Sequence, residues 1–83
     1  MPVMKRPQKK AASRMRISQA AAAAEVSKQT IEYYILIGLL QPIRENGGRF
    51  FDTTLVRRIR LIRQLNDSGY TLRSIRETYL KGK

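Results

Sequence analysis

Residues 17–38 read Ile17-Ser18-Gln19, five alanines from Ala20 to Ala24, Glu25-Val26-Ser27, and then Lys28-Gln29-Thr30-Ile31-Glu32-Tyr33-Tyr34-Ile35-Leu36-Ile37-Gly38. Ser18 can cap a first helix from Gln19 to about Glu25. Alanine has the highest helix propensity, and its small side chain suits close packing of one helix on another. Ser27 can cap a second helix from Lys28 to about Leu36, which Gly38 would stop in a left-handed conformation. Two short helices joined by a tight turn outline a helix-turn-helix.

Downstream, Gln41-Pro42 breaks the chain. Ile43-Arg44-Glu45 and Arg49-Phe50-Phe51 then flank Asn46-Gly47-Gly48, and glycine in so short a connection between extended runs signals a hairpin. Asp52 caps a third helix from Thr53 to Ser68, ended by Gly69. Its apolar stripe is Leu55, Val56, Ile59, Ile62 and Leu65. Thr71 caps a fourth, with Leu72, Ile75 and Tyr79 on one side. The order helix, helix, hairpin, helix, helix predicts a mainly α winged helix-turn-helix.

Upstream, Lys5, Arg6, Lys9, Lys10, Arg14 and Arg16 stand without an acid, and Pro2 and Pro7 interrupt the run. Residues 1–16 therefore read as a flexible basic arm and 17–83 as the folded domain. The whole chain has 83 residues, with 17 Lys plus Arg against 6 Asp plus Glu, a net charge of +11. Such a charge on one small domain implies a polyanionic partner, with nucleic acid the default.

The same composition excludes much. Cysteine and histidine are both absent, which removes disulfides, thiol nucleophiles, the common zinc sites and a neutral-pH imidazole base. The acids are scattered, so no carboxylate cage is written locally. An enzyme is not expected, nor is a cofactor or a metal. Ala20 to Ala24 is an apolar stretch far too short to span a bilayer. No secretory signal is expected, because the basic N-terminal run is not followed by an apolar core. A cytoplasmic, nucleoid-associated protein follows, with double-stranded DNA as partner.

In a helix-turn-helix the second helix meets base edges with its first turns, while neighbouring groups hold phosphates. Ser27, Lys28, Gln29 and Thr30 take those positions. Gln29 can form two hydrogen bonds to adenine, and Lys28 can donate to guanine or to a phosphate. With Ile31 and Ile35 buried, Gln29 and Tyr33 fall one turn apart on the opposite face. Tyr33 is then a phosphate or sugar contact, or else a packed aromatic. Tyr34 lies nearer the core edge. As a wing, the hairpin would present Arg44, Asn46 and Arg49 to the backbone or minor groove. Arg57 and Arg58, early in the third helix, come within reach of phosphates, whereas Arg63 can pair with Asp67.

The run Ile17-Ser18, Val26-Ser27, Thr30-Ile31-Glu32-Tyr33-Tyr34, Gly38-Leu39-Leu40 and Pro42 resembles the DNA-binding domain of the mercury-resistance-regulator (MerR) family. Asn46-Gly47-Gly48-Arg49-Phe50-Phe51 and Gly69-Tyr70-Thr71-Leu72 with Ile75 continue the pattern. The resemblance covers residues 17 to about 80. It implies a winged helix-turn-helix that binds duplex DNA to regulate transcription, and it implies a role at the DNA for Tyr34. Family members usually continue into a dimerising coiled coil, so this chain reads as a short member or a fragment, with further copies of itself on adjacent DNA sites. Two departures stand out. The family's common arginine at position 32 is Glu32 here, which could accept from a cytosine amino group, pair with Lys28, or point away. Gly48 stands where many members carry tyrosine, in a loop shorter than that of the metal sensors. The alternative function is a recombination directionality (excisionase-like) or architectural DNA-bending factor, since such proteins are also small basic winged helices.

Overall fold

The computed structural model describes residues 14–80, with side chains described through residue 78. Residues 1–13 of the expected arm lie outside the described residues, and so does the Tyr79 side chain. Six elements follow in order: α1 (Ile17–Ala24), α2 (Lys28–Leu36), β1 (Ile43–Glu45), β2 (Gly48–Phe50), α3 (Thr53–Asp67) and α4 (Leu72–Ile75). A π-helical segment, Arg76–Leu80, extends α4.

Local chemistry sets most boundaries. Ser27 Oγ accepts from the Thr30 amide at 3.0 Å, an Asp52 carboxylate oxygen from Leu55 at 2.9 Å, and Thr71 Oγ1 from Ser74 at 3.0 Å. Each satisfies one of the orphan donors at a helix start. The beginning of α1 differs from expectation. It starts at Ile17, so Ser18 lies inside the helix and Arg16 occupies the cap position. The Gln19 side-chain oxygen accepts from the Arg16 amide at 3.1 Å. The cause is upstream, where Met15 and Phe51 exchange backbone hydrogen bonds of 2.7 and 2.8 Å. That pairing leaves Arg16 extended and ready to start the helix.

Three helices end in the same way. After α2, Gly38 (φ 84°) donates to Ile35 O at 3.1 Å and Leu39 to Tyr34 O at 2.9 Å. After α3, Gly69 (φ 112°) donates to Asn66 O and Tyr70 to Leu65 O, both at 3.1 Å. After α1 the left-handed position is filled by Glu25 (φ 61°), which donates to Ala22 O at 3.2 Å while Val26 donates to Ala21 O at 3.0 Å. This double hydrogen bond is the Schellman motif, in which glycine usually occupies the left-handed residue.

The hairpin pairs Ile43 with Phe50, Arg44 with Arg49 and Glu45 with Gly48. Asn46 (φ 51°) and Gly47 (φ 78°) form its two-residue turn, and two successive positive φ angles give the type I′ geometry that matches strand twist. α1 packs on α2 and α3, and α4 packs on α3. The core contains Ala20, Ala24, Ile31, Tyr34, Leu39, Leu40, Phe51, Val56, Ile59, Ile62 and Ile75. The alanines serve as expected: Ala20, Ala21 and Ala24 are buried, where larger side chains would hold α1 away from its neighbours.

The expected boundary after residue 16 requires correction. Met15 forms a β-bridge to Phe51, and the Arg16 guanidinium lies 4.5 Å from the centre of the Phe50 ring. Arg14 makes a two-point ion pair with Glu45, at 3.2 Å from Nε and 2.9 Å from Nη2. Residues 14–16 thus belong to the fold. Their anchors lie more than thirty positions away in the chain, which is why a local reading of charge and proline assigned them to the arm.

Candidate nucleic-acid interface

α2 presents the side chains expected to read DNA. Its first turn carries Ser27, Lys28 and Gln29 exposed and Thr30 half-buried. Ser27 Oγ also lies 2.9 Å from Thr30 Oγ1, so both hydroxyls are engaged in holding the helix start. Ile31 is fully buried and Ile35 half-buried, which turns Gln29 and Tyr33 outward as their spacing requires. Tyr33 remains 51% exposed. A ring this open on a basic surface has its face and hydroxyl available to a partner.

Tyr34 does not share that position. It is 5% exposed and packed in the core, which supports the packed-aromatic reading and leaves only its edge at the cleft for the contact that the resemblance implied. Its place three residues after Ile31 puts both on one helix face. Burial pushes the phenol's pKa up, the nearby Asp67 carboxylate adds to this, and Arg63 opposes it.

Ser27, Gln29, Thr30, Tyr33 and Tyr34 line one cleft of about 600 Å³ together with Arg63, Asn66, Asp67 and Leu72. The end of α3 forms its far wall. There Arg63 donates to the Glu25 carbonyl at 2.6 Å and, as expected, pairs with Asp67 at 3.5 Å. Asn66 donates to Tyr70 O at 2.7 Å. These contacts tie the turn between α1 and α2, and the start of α4, to α3. α2 therefore leaves a braced corner.

The hairpin has two faces, because side chains alternate along a strand. Arg44 and Arg49 stand opposite each other on one face, a like-charge pairing that is unfavourable by itself. Glu32 of α2 relieves it. Arg49 donates to both Glu32 carboxylate oxygens, at 3.0 Å from Nη1 and 2.7 Å from Nη2. Of the three readings offered for Glu32 none includes this wing contact, and Arg49 takes the place foreseen for Lys28. The Arg49 hydrogen bonds hold the Glu32 carboxyl below the usual glutamate range, outweighing a small opposing desolvation. On the other face, Arg14 holds Glu45 low in the same way, and Arg16 covers Phe50. A Cβ on Gly48 would come within 3.2 Å of Arg16 Nη1 and of the Phe50 ring, so glycine there leaves room for that stack.

Arg44 and Asn46 are exposed, as is Arg57, while Arg58 is half-buried. No carboxylate partner engages Arg44, Arg57 or Arg58 among the described residues. Also among the described residues, no group of three His, Cys, Asp or Glu side chains could hold a metal ion, and no helix is long and apolar enough to cross a membrane. Arg14, Arg16, Arg63 and Asn66 brace the interface without having been read as part of it. Only the Arg63–Asp67 spacing carried a local signal.

Comparison with known proteins agrees with this architecture. The family described as "MerR HTH family regulatory protein" matches residues 15–81. The chain is 38% identical over 63 residues to the uncharacterized HTH-type transcriptional regulator YyaN of Bacillus subtilis (strain 168), covering 74% of this chain and 46% of that protein. It is 36% identical over 64 residues to the mercuric resistance operon regulatory protein of Bacillus cereus, covering 75% and 48%. Among solved structures, the transcription regulator PbrR691 from Ralstonia metallidurans CH34 in complex with lead(II) superimposes with a TM-score of 0.71 at 34% identity, covering 76% of this chain and 51% of that one. The chain thus spans about half the length of the relatives it matches. With the family's profile matched from the Met15 bridge through α4 and the winged fold shared at this identity, the chain belongs to the MerR HTH family.

Proposed function

We propose that this chain binds duplex DNA in a sequence-specific manner as the DNA-binding part of a transcription regulator. The observation that carries the proposal is the exposed Lys28, Gln29 and Tyr33 face of a braced, Ser27-capped helix beside an arginine-bearing hairpin. α2 enters the major groove, where Gln29 and Lys28 meet base edges. Ser27, Thr30 and Tyr33 lie along the sugar-phosphate chain, and Arg44 and Asn46 bring the wing to the backbone or minor groove. Arg57 and Arg58 add phosphate contacts. The arm adds attraction that does not depend on sequence.

One such module covers a short site, so useful affinity requires more than one copy on adjacent sites. The charge and partner favour a cytoplasmic protein associated with the nucleoid. The names of the relatives, all regulators, favour regulation over the excisionase-like or architectural alternative.

Selection of genomic fragments on the purified protein at about 150 mM salt, where distant charges are screened, tests the proposal. A shared short motif near promoters is expected, its repeat orientation showing how copies assemble. Enrichment without a motif would overturn sequence-specific reading. Clustering at attachment sites of mobile elements would favour the architectural alternative.

A further inference from the structure

We infer that Glu32 is a positioning residue for the wing, a built-in substitute for a DNA phosphate that keeps Arg49 on the recognition helix and leaves Arg44 as the wing's phosphate contact. The inference rests on the DNA-binding reading above and assigns the division of labour within it.

The argument is geometric and electrostatic. A carboxylate offers a guanidinium the same two-point acceptor pattern as a phosphate. Here both Arg49–Glu32 hydrogen bonds are formed, at 3.0 and 2.7 Å, so two of the five Arg49 N–H donors and its charge are already engaged by a carboxylate. Glu32 lies one turn beyond Lys28 and Gln29, at the face that approaches DNA, where a free carboxylate would be repelled by the backbone. Pairing with Arg49 cancels that charge locally. The same bond joins the hairpin directly to α2, seventeen residues earlier in the chain, while Arg14 secures the hairpin's other face through Glu45. A two-stranded hairpin has little independent stability, so these clamps set where Arg44 and Asn46 point. Arg44, opposite Arg49 in register, is exposed and has no carboxylate partner among the described residues.

The test reads the salt dependence of binding by the full chain to two labelled duplexes, one of mixed sequence and one recovered from the genomic selection. Each phosphate neutralised contributes about −0.9 to the slope of log affinity against log salt. Arg44→Ala is expected to flatten the slope by about 0.9, whereas Arg49→Ala together with Glu32→Gln, which removes both charges of the pair, should leave it unchanged. Glu32→Gln frees Arg49. It should steepen the slope by about 0.9, raise affinity for the mixed duplex several-fold, and narrow the ratio between the two duplexes. Adding Arg49→Ala to Glu32→Gln should remove the extra slope. Glu32→Arg combined with Arg49→Glu rebuilds the pair in reverse and should return the slope to its original value, which a loss of folding in a single variant could not imitate.

A slope flatter than the unmodified chain's in the variant carrying both Glu32→Gln and Arg49→Ala would overturn the inference, because Arg49 would then already hold a phosphate. So would an unchanged slope for Glu32→Gln, or a shift of base preference at one position with the slope constant, the mark of a carboxylate that reads cytosine. If the unmodified chain binds neither duplex, the functional proposal fails as well; if it binds and only the slopes disagree, the division of labour alone is wrong.

Discussion

Replacing Glu25 with glycine should stabilise the domain. Glu25 closes α1 at φ 61°, and the equivalent residues after α2 and α3 are Gly38 and Gly69. The paired hydrogen bonds are the same at all three ends, so the backbone needs the left-handed conformation whatever side chain it carries. A Cβ there costs about 1–2 kcal/mol, and the extra unfolded-state freedom of glycine returns about 0.5–1 kcal/mol of the relief. Between the middles of these two ranges the net expected gain is about 0.75 kcal/mol. For a domain of this size, where 1 kcal/mol moves the midpoint by about 4–8 °C, the gain corresponds to a rise of about 3–6 °C.

Nothing else of consequence is lost. The Glu25 side chain is exposed, and Arg63 holds its main-chain carbonyl, which glycine keeps. Thermal unfolding followed by far-UV circular dichroism at fixed salt measures the shift. Glu25→Ala, which retains a Cβ, should show none of this gain, and Glu25→Asn should show part of it because asparagine tolerates the left-handed region. An unchanged or lower midpoint for Glu25→Gly, or an equal rise for Glu25→Ala, would refute the backbone argument and point to a contact made by the carboxylate itself.

Three further outcomes are expected. Gln29→Ala should relax preference at one base position at a cost of about 1–3 kcal/mol; equal weakening on every duplex would show that Gln29 does not read bases. If about six phosphates are neutralised in all, the salt slope is roughly −5, and removing residues 1–13 should flatten it without shifting the selected motif. Deletion must stop there, because removal through residue 16 also deletes the Met15–Phe51 bridge and the Arg14–Glu45 pair, and should lower the melting midpoint where the shorter deletion does not. Glu32 and Glu45 are both held below their usual range by arginine hydrogen bonds, so they bind fewer protons folded than unfolded, and their contribution is present above the unfolded value. It is lost as pH falls through the lowered folded values, so carboxyl NMR titration should show both groups still ionised where an ordinary glutamate, near 4.3, is half-protonated. Ordinary midpoints for both would show that the clamps do not persist in solution.

What could be read from the chain was local. Ser27, Asp52 and Thr71 bond to amides three residues away, Gly38 and Gly69 take an angle other residues avoid, and Asn46-Gly47 suits one kind of turn. Each is decided within a few positions, and each appears in the fold. Contacts between distant segments carried no such signal. Arg14 with Glu45, Met15 with Phe51 and Glu32 with Arg49 depend on how the hairpin returns to the helices, so the end of the arm was misplaced and the partner of Glu32 was missed. Ser18 failed as a cap for the same reason, since the distant Met15 bridge moved the helix start. Tyr34 is the instructive exception. Its spacing from Ile31 already placed it near the core edge, where the structure buries it, and the role at the DNA that the resemblance implies is a matter that burial alone does not decide.

The small number of acids decides how the positive charge can act. Among the described residues, Glu32, Glu45, Asp67 and Glu77 each lie against an arginine, namely Arg49, Arg14, Arg63 and Arg76, and Asp52 caps α3. These pairs are surface contacts with little effect on overall stability. Their effect is on position: they withdraw particular arginines from the field and fix the hairpin and helix ends on which others stand. Arg16, Arg44, Arg57, Arg58, Arg60 and Arg73 remain without carboxylate partners among the described residues. A net charge of +11 would by itself attract any polyanion. On the proposed reading, Arg44 on the wing and Arg57 and Arg58 on the helix that follows it would orient that attraction and bring the Gln29 face to the groove before any base is read.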